Sequence, residues 1–124
     1  MIIIDSDVLI WILRGNKHVK KKFDEYVIQS NGLIYITAVQ IAEIMAGLKQ
    51  NEKTDTEIFL NSLHCLDIDF KAGQLAGLYM NKYAKSHNIT LADSLIAAAA
   101  YINKLKIWTL NRKHYPMLDI KDLL

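Results

Sequence analysis

Residues Ile2-Ile3-Ile4-Asp5-Ser6-Asp7-Val8-Leu9-Ile10 decide the fold. Three β-branched apolar residues run without a polar break into two closely spaced acids. Such a run suits a strand covered on both faces, as in a parallel sheet flanked by helices. Asp5 then falls at the carboxyl end of that strand. In open α/β sheets this rim is where ligands bind. The reading predicts that the rest of the chain folds so as to bring other carboxylates to Asp5.

Outward from this stretch, strand and helix patterns alternate. Asp7 to Leu13 reads as a short helix capped by Asp5 or Ser6, because a side-chain oxygen satisfies amides of a first turn. Arg14-Gly15-Asn16 is a turn. Lys17 to Gln29 is an amphipathic helix with Val19, Phe23, Tyr26 and Val27 on one face and Lys17, Lys20, Lys21 and Lys22 on the other. Leu33 to Ile36 is a second strand. Thr37-Ala38-Val39-Gln40 fits a capping box and opens a helix running to about Gln50. Thr54-Asp55-Thr56-Glu57 reads as another box, opening a helix through Leu63. Leu66 to Ile68 is a weak strand, and Asp69 caps a long helix from Phe70 to His87. Leu75, Leu78, Tyr79 and Tyr83 are spaced for burial on it. Thr90-Leu91-Ala92-Asp93 opens a helix through Ile102, whose run Leu95-Ile96-Ala97-Ala98-Ala99-Ala100 is apolar all round and therefore central. Asn103 is placed as a left-handed cap. Ile107 to Leu110 is the last strand, and Leu118 to Leu124 adds a short edge strand. The expected fold class is α/β: a three-layer α/β/α domain, single over residues 1–124, with a mostly parallel sheet of four to five strands.

The totals set bounds. The 124 residues are 52% hydrophobic and 23% charged, an ordinary globular composition that excludes disorder. A lone cysteine, Cys65, forms no internal disulfide and is placed in the core by its apolar neighbours. The apolar region Leu95 to Leu110 is broken by Asn103, Lys104 and Lys106, short of a membrane span. No secretory leader precedes the first strand, so a cytoplasmic location is expected. The net charge of +2 neither requires nor excludes a nucleic-acid partner.

Right-handed crossovers place every strand-to-helix turn on one rim of a parallel sheet. Asp5, Glu43 in the helix after the second strand, Asp93 in the first turn of the alanine-rich helix, and Asn111 after the last strand all fall there. Clustered carboxylates repel and resist desolvation. A hard divalent cation relieves this, and Mg²⁺ takes oxygen ligands while keeping several waters. The His/Cys spacing of a zinc site is absent. Each acid also has a plainer role: Asp5 as a cap, Glu43 as a surface residue, Asp93 as half of a capping box. Asp7 reads as a first-turn acid facing the helix dipole.

The ordered set Ile4-Asp5-Ser6-Asp7-Val8-Leu9-Ile10, Ala42-Glu43-Ile44-Met45-Ala46-Gly47, Asp93-Ser94-Leu95-Ile96-Ala97-Ala98 and Thr109-Leu110-Asn111 resembles the PIN-domain ribonucleases, and among them the VapC toxins of toxin–antitoxin pairs. The likeness spans nearly the whole chain. It implies an Mg²⁺- or Mn²⁺-dependent endoribonuclease, a homodimer, and an antitoxin protein that occupies the active-site groove. Asp5, Glu43 and Asp93 match the family's central acids. The sequence departs from the pattern at a fourth acid: Leu91 and His114 stand where relatives carry one.

On that reading Asp5, Asp93 and Glu43 are the metal-binding residues and Asn111 orients a carboxylate or the attacking water. Arg112, Lys113 and His114 meet RNA phosphate, for which cationic contacts supply affinity. Lys17 to Lys22 is a second candidate patch, and Trp11 and Tyr115 are candidates for stacking on bases. A dimer interface is expected around Ile44, Leu48 and Phe59. Two alternatives stand beside this reading. One is haloacid-dehalogenase-like phosphotransfer at Asp5, which leaves Glu43 unexplained and lacks a late acidic pair. The other is a catalytically weak module that binds RNA or protein.

Overall fold

The computed structural model describes residues 1–124. Four strands form one sheet: β1 (Ile2–Ile4), β2 (Ile34–Thr37), β3 (His64–Leu66) and β4 (Lys106–Trp108), in the order β3-β2-β1-β4. Every pairing is parallel. The helices are α1 (Ser6–Leu13), α2 (Lys17–Gln29), α3 (Ala38–Ala46), α4 (Lys53–Asn61), α5 (Phe70–His87) and α6 (Leu91–Ile102). The fold is the expected three-layer α/β/α arrangement. Strand β1 is interior, with β2 and β4 on either side, so Asp5 emerges between the ends of its neighbours.

The period-two alternation of a strand divides the core. Ile2, Ile4, Ile34, Ile36 and Trp108 pack on one face against Val8, Leu9 and Ile12 of α1, Val19 and Phe23 of α2, and Ile44 and Leu60. Ile3 and Ile107 face the other way, against Ile96, Ala97, Ala99 and Ala100 of α6. Each buried isoleucine contributes on the order of 1.5–3 kcal/mol through removal of apolar surface from water. The alanine run holds α6 close to the sheet on one side. On the other, Ala98 meets Ala72 and Ala76 of α5, so the two helices approach closely.

Several local expectations are corrected. Helix α3 stops at Ala46, with Gly47 as its cap, and a 3₁₀ turn at Gln50–Glu52 leads into α4. The box at Thr54–Glu57 does not form, because α4 starts earlier, at Lys53, and Thr54 already lies inside it. Strand β3 lies earlier than Leu66–Ile68, since its ladder pairs Tyr35 with His64 and Thr37 with Leu66. It is an edge strand, and Cys65 on it is exposed rather than core. The buried side of α5 is Ala72 and Ala76, while Leu78 is 65% exposed. Asn103 has φ −93° and caps α6 by donating its side-chain amide to the Ala99 carbonyl at 2.8 Å; the left-handed residue is Lys104. The tail forms no full strand. A single parallel bridge joins Leu123 to Ile107. Of the residues expected at a dimer interface, Ile44 is core, Leu48 is half-buried, and Phe59 is half-buried and packs on Phe23 with ring centroids 5.7 Å apart. No helix is long and apolar enough to cross a membrane.

Candidate active site

The carboxyl rim of the sheet gathers the residues that the sequence placed there. Asp5 follows β1 directly and its amide donates to the Trp108 carbonyl at 2.9 Å, which locks it between β1 and β4. It is also the N-cap of α1: Oδ1 accepts from the Ser6 amide at 2.8 Å. Oδ2 accepts two hydroxyls, from Thr109 at 2.8 Å and from Tyr115 at 2.9 Å. Asp5 is 7% exposed. Burial raises its pKa above the ordinary carboxylate value. The Thr109, Tyr115 and Ser6 bonds oppose that rise, and the charge of Asp93 adds to it.

Asp7 does more than face a helix dipole. Its Oδ1 accepts from the Val8 amide at 2.7 Å, and its Oδ2 accepts from the Leu110 amide at 3.1 Å. It thereby pins the end of β4 to the start of α1. Burial, and then the negative charge of Asp5, push its pKa up to about 6.

Glu43 projects from α3 with its side chain largely exposed, and its Oε1 accepts the Ser6 hydroxyl at 3.1 Å. The shielding of its carboxylate raises its pKa, the Ser6 bond lowers it, and the charges of Asp5 and Asp93 raise it further. The floor under α3 is polar and fully satisfied. Gln40 is buried, donates its amide to the Ile4 carbonyl at 3.0 Å, and accepts both the Thr37 amide and the Thr37 hydroxyl. The expected capping box at Thr37–Gln40 therefore also ties α3 to the strand that carries Asp5.

Asp93 occupies the expected box with Thr90, its Oδ2 accepting the Thr90 amide at 3.1 Å. That oxygen also lies 3.4 Å from His114 Nδ1. The side-chain amide of Asn111 sits against the His114 ring, 3.1 Å from Nε2, and meets no carboxylate. Arg112 and Lys113 are exposed on the 3₁₀ turn Arg112–His114 and form no ion pair. Leu91, at the first position of α6, points to solvent. Beside Glu43, a groove of about 240 Å³ is lined by Leu13, Arg14, Leu48 and Lys49.

Three participants hold places at the site that the sequence did not indicate: Ser6, expected only as a possible helix cap, Thr109, and Tyr115, expected as a base-stacking candidate. Thr109 was visible only as part of Thr109-Leu110-Asn111. Tyr115 is 1% exposed with its hydroxyl on Asp5, so it is no surface for base stacking. Its place in a polar loop before Pro116 gave no sign of burial. Trp11 is exposed, with the Arg14 guanidinium 6.0 Å from its ring centroid. In the lysine patch, Lys20 pairs with Asp24, and Lys22 lies over Trp108.

The donor set is chemically hard. Asp5, Glu43 and Asp93 offer carboxylate oxygens, and the charge of Asp93 raises the cost of ionising both Asp5 and Glu43. No three His, Cys, Asp or Glu side chains are close enough to enclose an ion by themselves. A cation here would complete its coordination with water, as Mg²⁺ does and structural Zn²⁺ does not.

A parallel sheet with this acid rim defines the class, and comparison with known proteins agrees. The PIN domain family matches residues 2–117, and the chain belongs to that family. Ribonuclease VapC10 of Mycobacterium tuberculosis is 37% identical over 121 residues, covering 96% of this chain and 89% of that protein. Ribonuclease VapC3 of Methanocaldococcus jannaschii is 34% identical over 101 residues, covering 80% of this chain and 97% of that protein. Among solved structures, a toxin–antitoxin complex from Klebsiella pneumoniae contains a chain that superposes with a TM-score of 0.83 at 18% identity, covering 100% of this chain and 96% of that one. VapBC2 from Rickettsia felis, bound to a promoter DNA fragment, matches with a TM-score of 0.77 at 21% identity over 100% of this chain and 96% of that one. At such identities the structural likeness is one of fold.

Proposed function

We propose that this chain is a divalent-metal-dependent endoribonuclease acting as the toxin of a toxin–antitoxin pair. The observation that carries the proposal is the convergence of Asp5, Glu43 and Asp93, from three separate segments, on one rim where their charges oppose one another. The curated relatives named as VapC ribonucleases support it. Asp5, Asp93 and Glu43 would hold Mg²⁺ or Mn²⁺. Bound there, the ion supplies Lewis acidity to a phosphodiester oxygen and acidifies water.

The chain's own residues supply the rest. Glu43, exposed and already raised in pKa, accepts a proton from the attacking water. Ser6 holds Glu43 in place. Arg112 and Lys113 bind backbone phosphate beside the acids. His114 sits between Asp93 and Asn111, where it meets phosphate and fixes the Asn111 amide. Attack by water in line with the leaving oxygen gives a 5′-phosphate and a 3′-hydroxyl. End-labelling of the fragments tests this: 2′,3′-cyclic phosphate ends would contradict a water nucleophile.

The partner on this reading is an antitoxin protein, as in the complexes from which similar folds are known. A homodimer is part of the same reading, with the half-buried Leu48 and Phe59 still available to its interface. Phosphotransfer at Asp5 loses its ground, because the chain belongs to the PIN family and Asp5 is held in place by three donors. A binding module without turnover would be revealed by RNA retention with no cleavage at any metal concentration.

A further inference from the structure

We propose that Tyr115 is a positioning residue for Asp5, whose hydroxyl leaves that carboxylate a single free acceptor site. The assignment rests on the nuclease reading of the rim and deepens it.

An ionised carboxylate offers about four lone-pair positions, two on each oxygen. On Asp5, Oδ2 accepts the Thr109 hydroxyl at 2.8 Å and the Tyr115 hydroxyl at 2.9 Å, which fills both of its positions. Oδ1 accepts only the Ser6 amide, at 2.8 Å. One position on Oδ1 remains. Asp5 therefore presents one oxygen, in one direction, and can serve a cation through that oxygen alone.

The anchor is rigid. Tyr115 is 1% exposed and packs in the core with Ile3, Ile96 and Ile107. Its ring is thus fixed by the sheet and α6 while its hydroxyl reaches the rim. Thr109 is a weaker anchor, since it also sits 3.4 Å from Asp7 Oδ2 and accepts the Asn111 amide at 3.0 Å. Without the Tyr115 hydroxyl, Oδ2 regains a free position and the carboxylate can turn about the Thr109 contact. Losing a partner that orients a ligand typically costs about 10–100-fold in metal affinity or activity.

The test uses the full chain, purified free of partner, with Mn²⁺ binding followed by electron paramagnetic resonance and RNA cleavage in parallel. Tyr115→Phe keeps the packing ring and removes only the hydroxyl. It is expected to fold, to lose about tenfold or more in Mn²⁺ affinity, and to lower kcat with KM for RNA unchanged. Incorporation of 3-fluorotyrosine at position 115 restores a hydroxyl and should restore wild-type affinity. A Phe variant that binds Mn²⁺ within about twofold of wild type, or one that does not fold, overturns the proposal by assigning the hydroxyl to no role at the site or to the fold itself. Wild-type protein that neither binds Mn²⁺ nor cleaves RNA overturns the nuclease reading, and the assignment with it.

Discussion

Ser6 and Glu43, 37 positions apart, are joined by a hydrogen bond of 3.1 Å from the Ser6 hydroxyl to Glu43 Oε1. Ser6 is also the residue whose amide caps onto Asp5 at 2.8 Å. One small residue at the start of α1 thus touches two of the three candidate acids, one through its backbone and one through its side chain. The link orders an otherwise exposed glutamate, and it is the only side-chain bond Glu43 makes.

Ser6→Ala removes the hydroxyl and leaves the amide bond to Asp5. Because the Glu43 contact is exposed to solvent, stability should change by less than about 1 kcal/mol. RNA cleavage should fall by about fivefold to tenfold, a loss of about 1 kcal/mol in transition-state stabilisation. Urea denaturation and single-turnover cleavage measure the two effects separately. Equal rates for variant and wild type would show that Glu43 needs no tether.

Gln40→Ala tests the floor of the site. Gln40 is buried and serves the Ile4 carbonyl and Thr37 at once. Truncation strands those groups and opens a cavity, so the loss should be about 2–4 kcal/mol by urea denaturation. A loss under about 1 kcal/mol would mean that water replaces the side chain at little cost.

The elements that position the acids were legible because each rests on short-range chemistry. An unbroken Ile2–Ile4 run, the box at Thr37–Gln40, the box at Thr90–Asp93 and the cap at Asp69 all appear as read. The supports of the site were not legible, because they depend on tertiary neighbours. Tyr115 meets Asp5 across 110 positions, and nothing in Asn111-Arg112-Lys113-His114-Tyr115-Pro116 shows which side chain turns inward. Leu78 misled for a related reason. Its spacing suited burial, but α5 contacts α6 through Ala72 and Ala76, and small residues give a weak periodic signal.

Asp7 gives a pH dependence with a definite sign. Its pKa is about 6 in the folded chain against an ordinary 3.8. Between those values the folded state holds a proton that the unfolded state has lost, so stability falls as pH rises through the window. The penalty is absent below 3.8 and fully present above about 6. Asp5 and Glu43 shift in the same direction and steepen the trend. With EDTA present, the melting temperature of Asp7→Asn relative to wild type should be higher at about pH 8 than at about pH 4. A difference that does not vary with pH would contradict the ascribed burial and repulsion.

Arg112→Ala with Lys113→Ala removes two exposed cations from the active rim. If both meet phosphate, the slope of log affinity for single-stranded RNA against log salt should shrink in magnitude by about 1.4. Fluorescence anisotropy over a salt series reads this. An unchanged slope would place the RNA path elsewhere, with Lys17 and Lys21 as the next cations to test.

The central claim is that Asp5, Glu43 and Asp93 act together, with a divalent ion, to hydrolyse RNA. Its most direct measurement is cleavage of total RNA by the partner-free chain in Mg²⁺, Mn²⁺ and EDTA, set beside Asp5→Asn, Glu43→Gln and Asp93→Asn. The account predicts cleavage with either ion, none in EDTA, and a loss of at least about a hundredfold in each variant with the fold intact by circular dichroism. Cleavage that persists in EDTA, or survives Asp5→Asn undiminished, would contradict it.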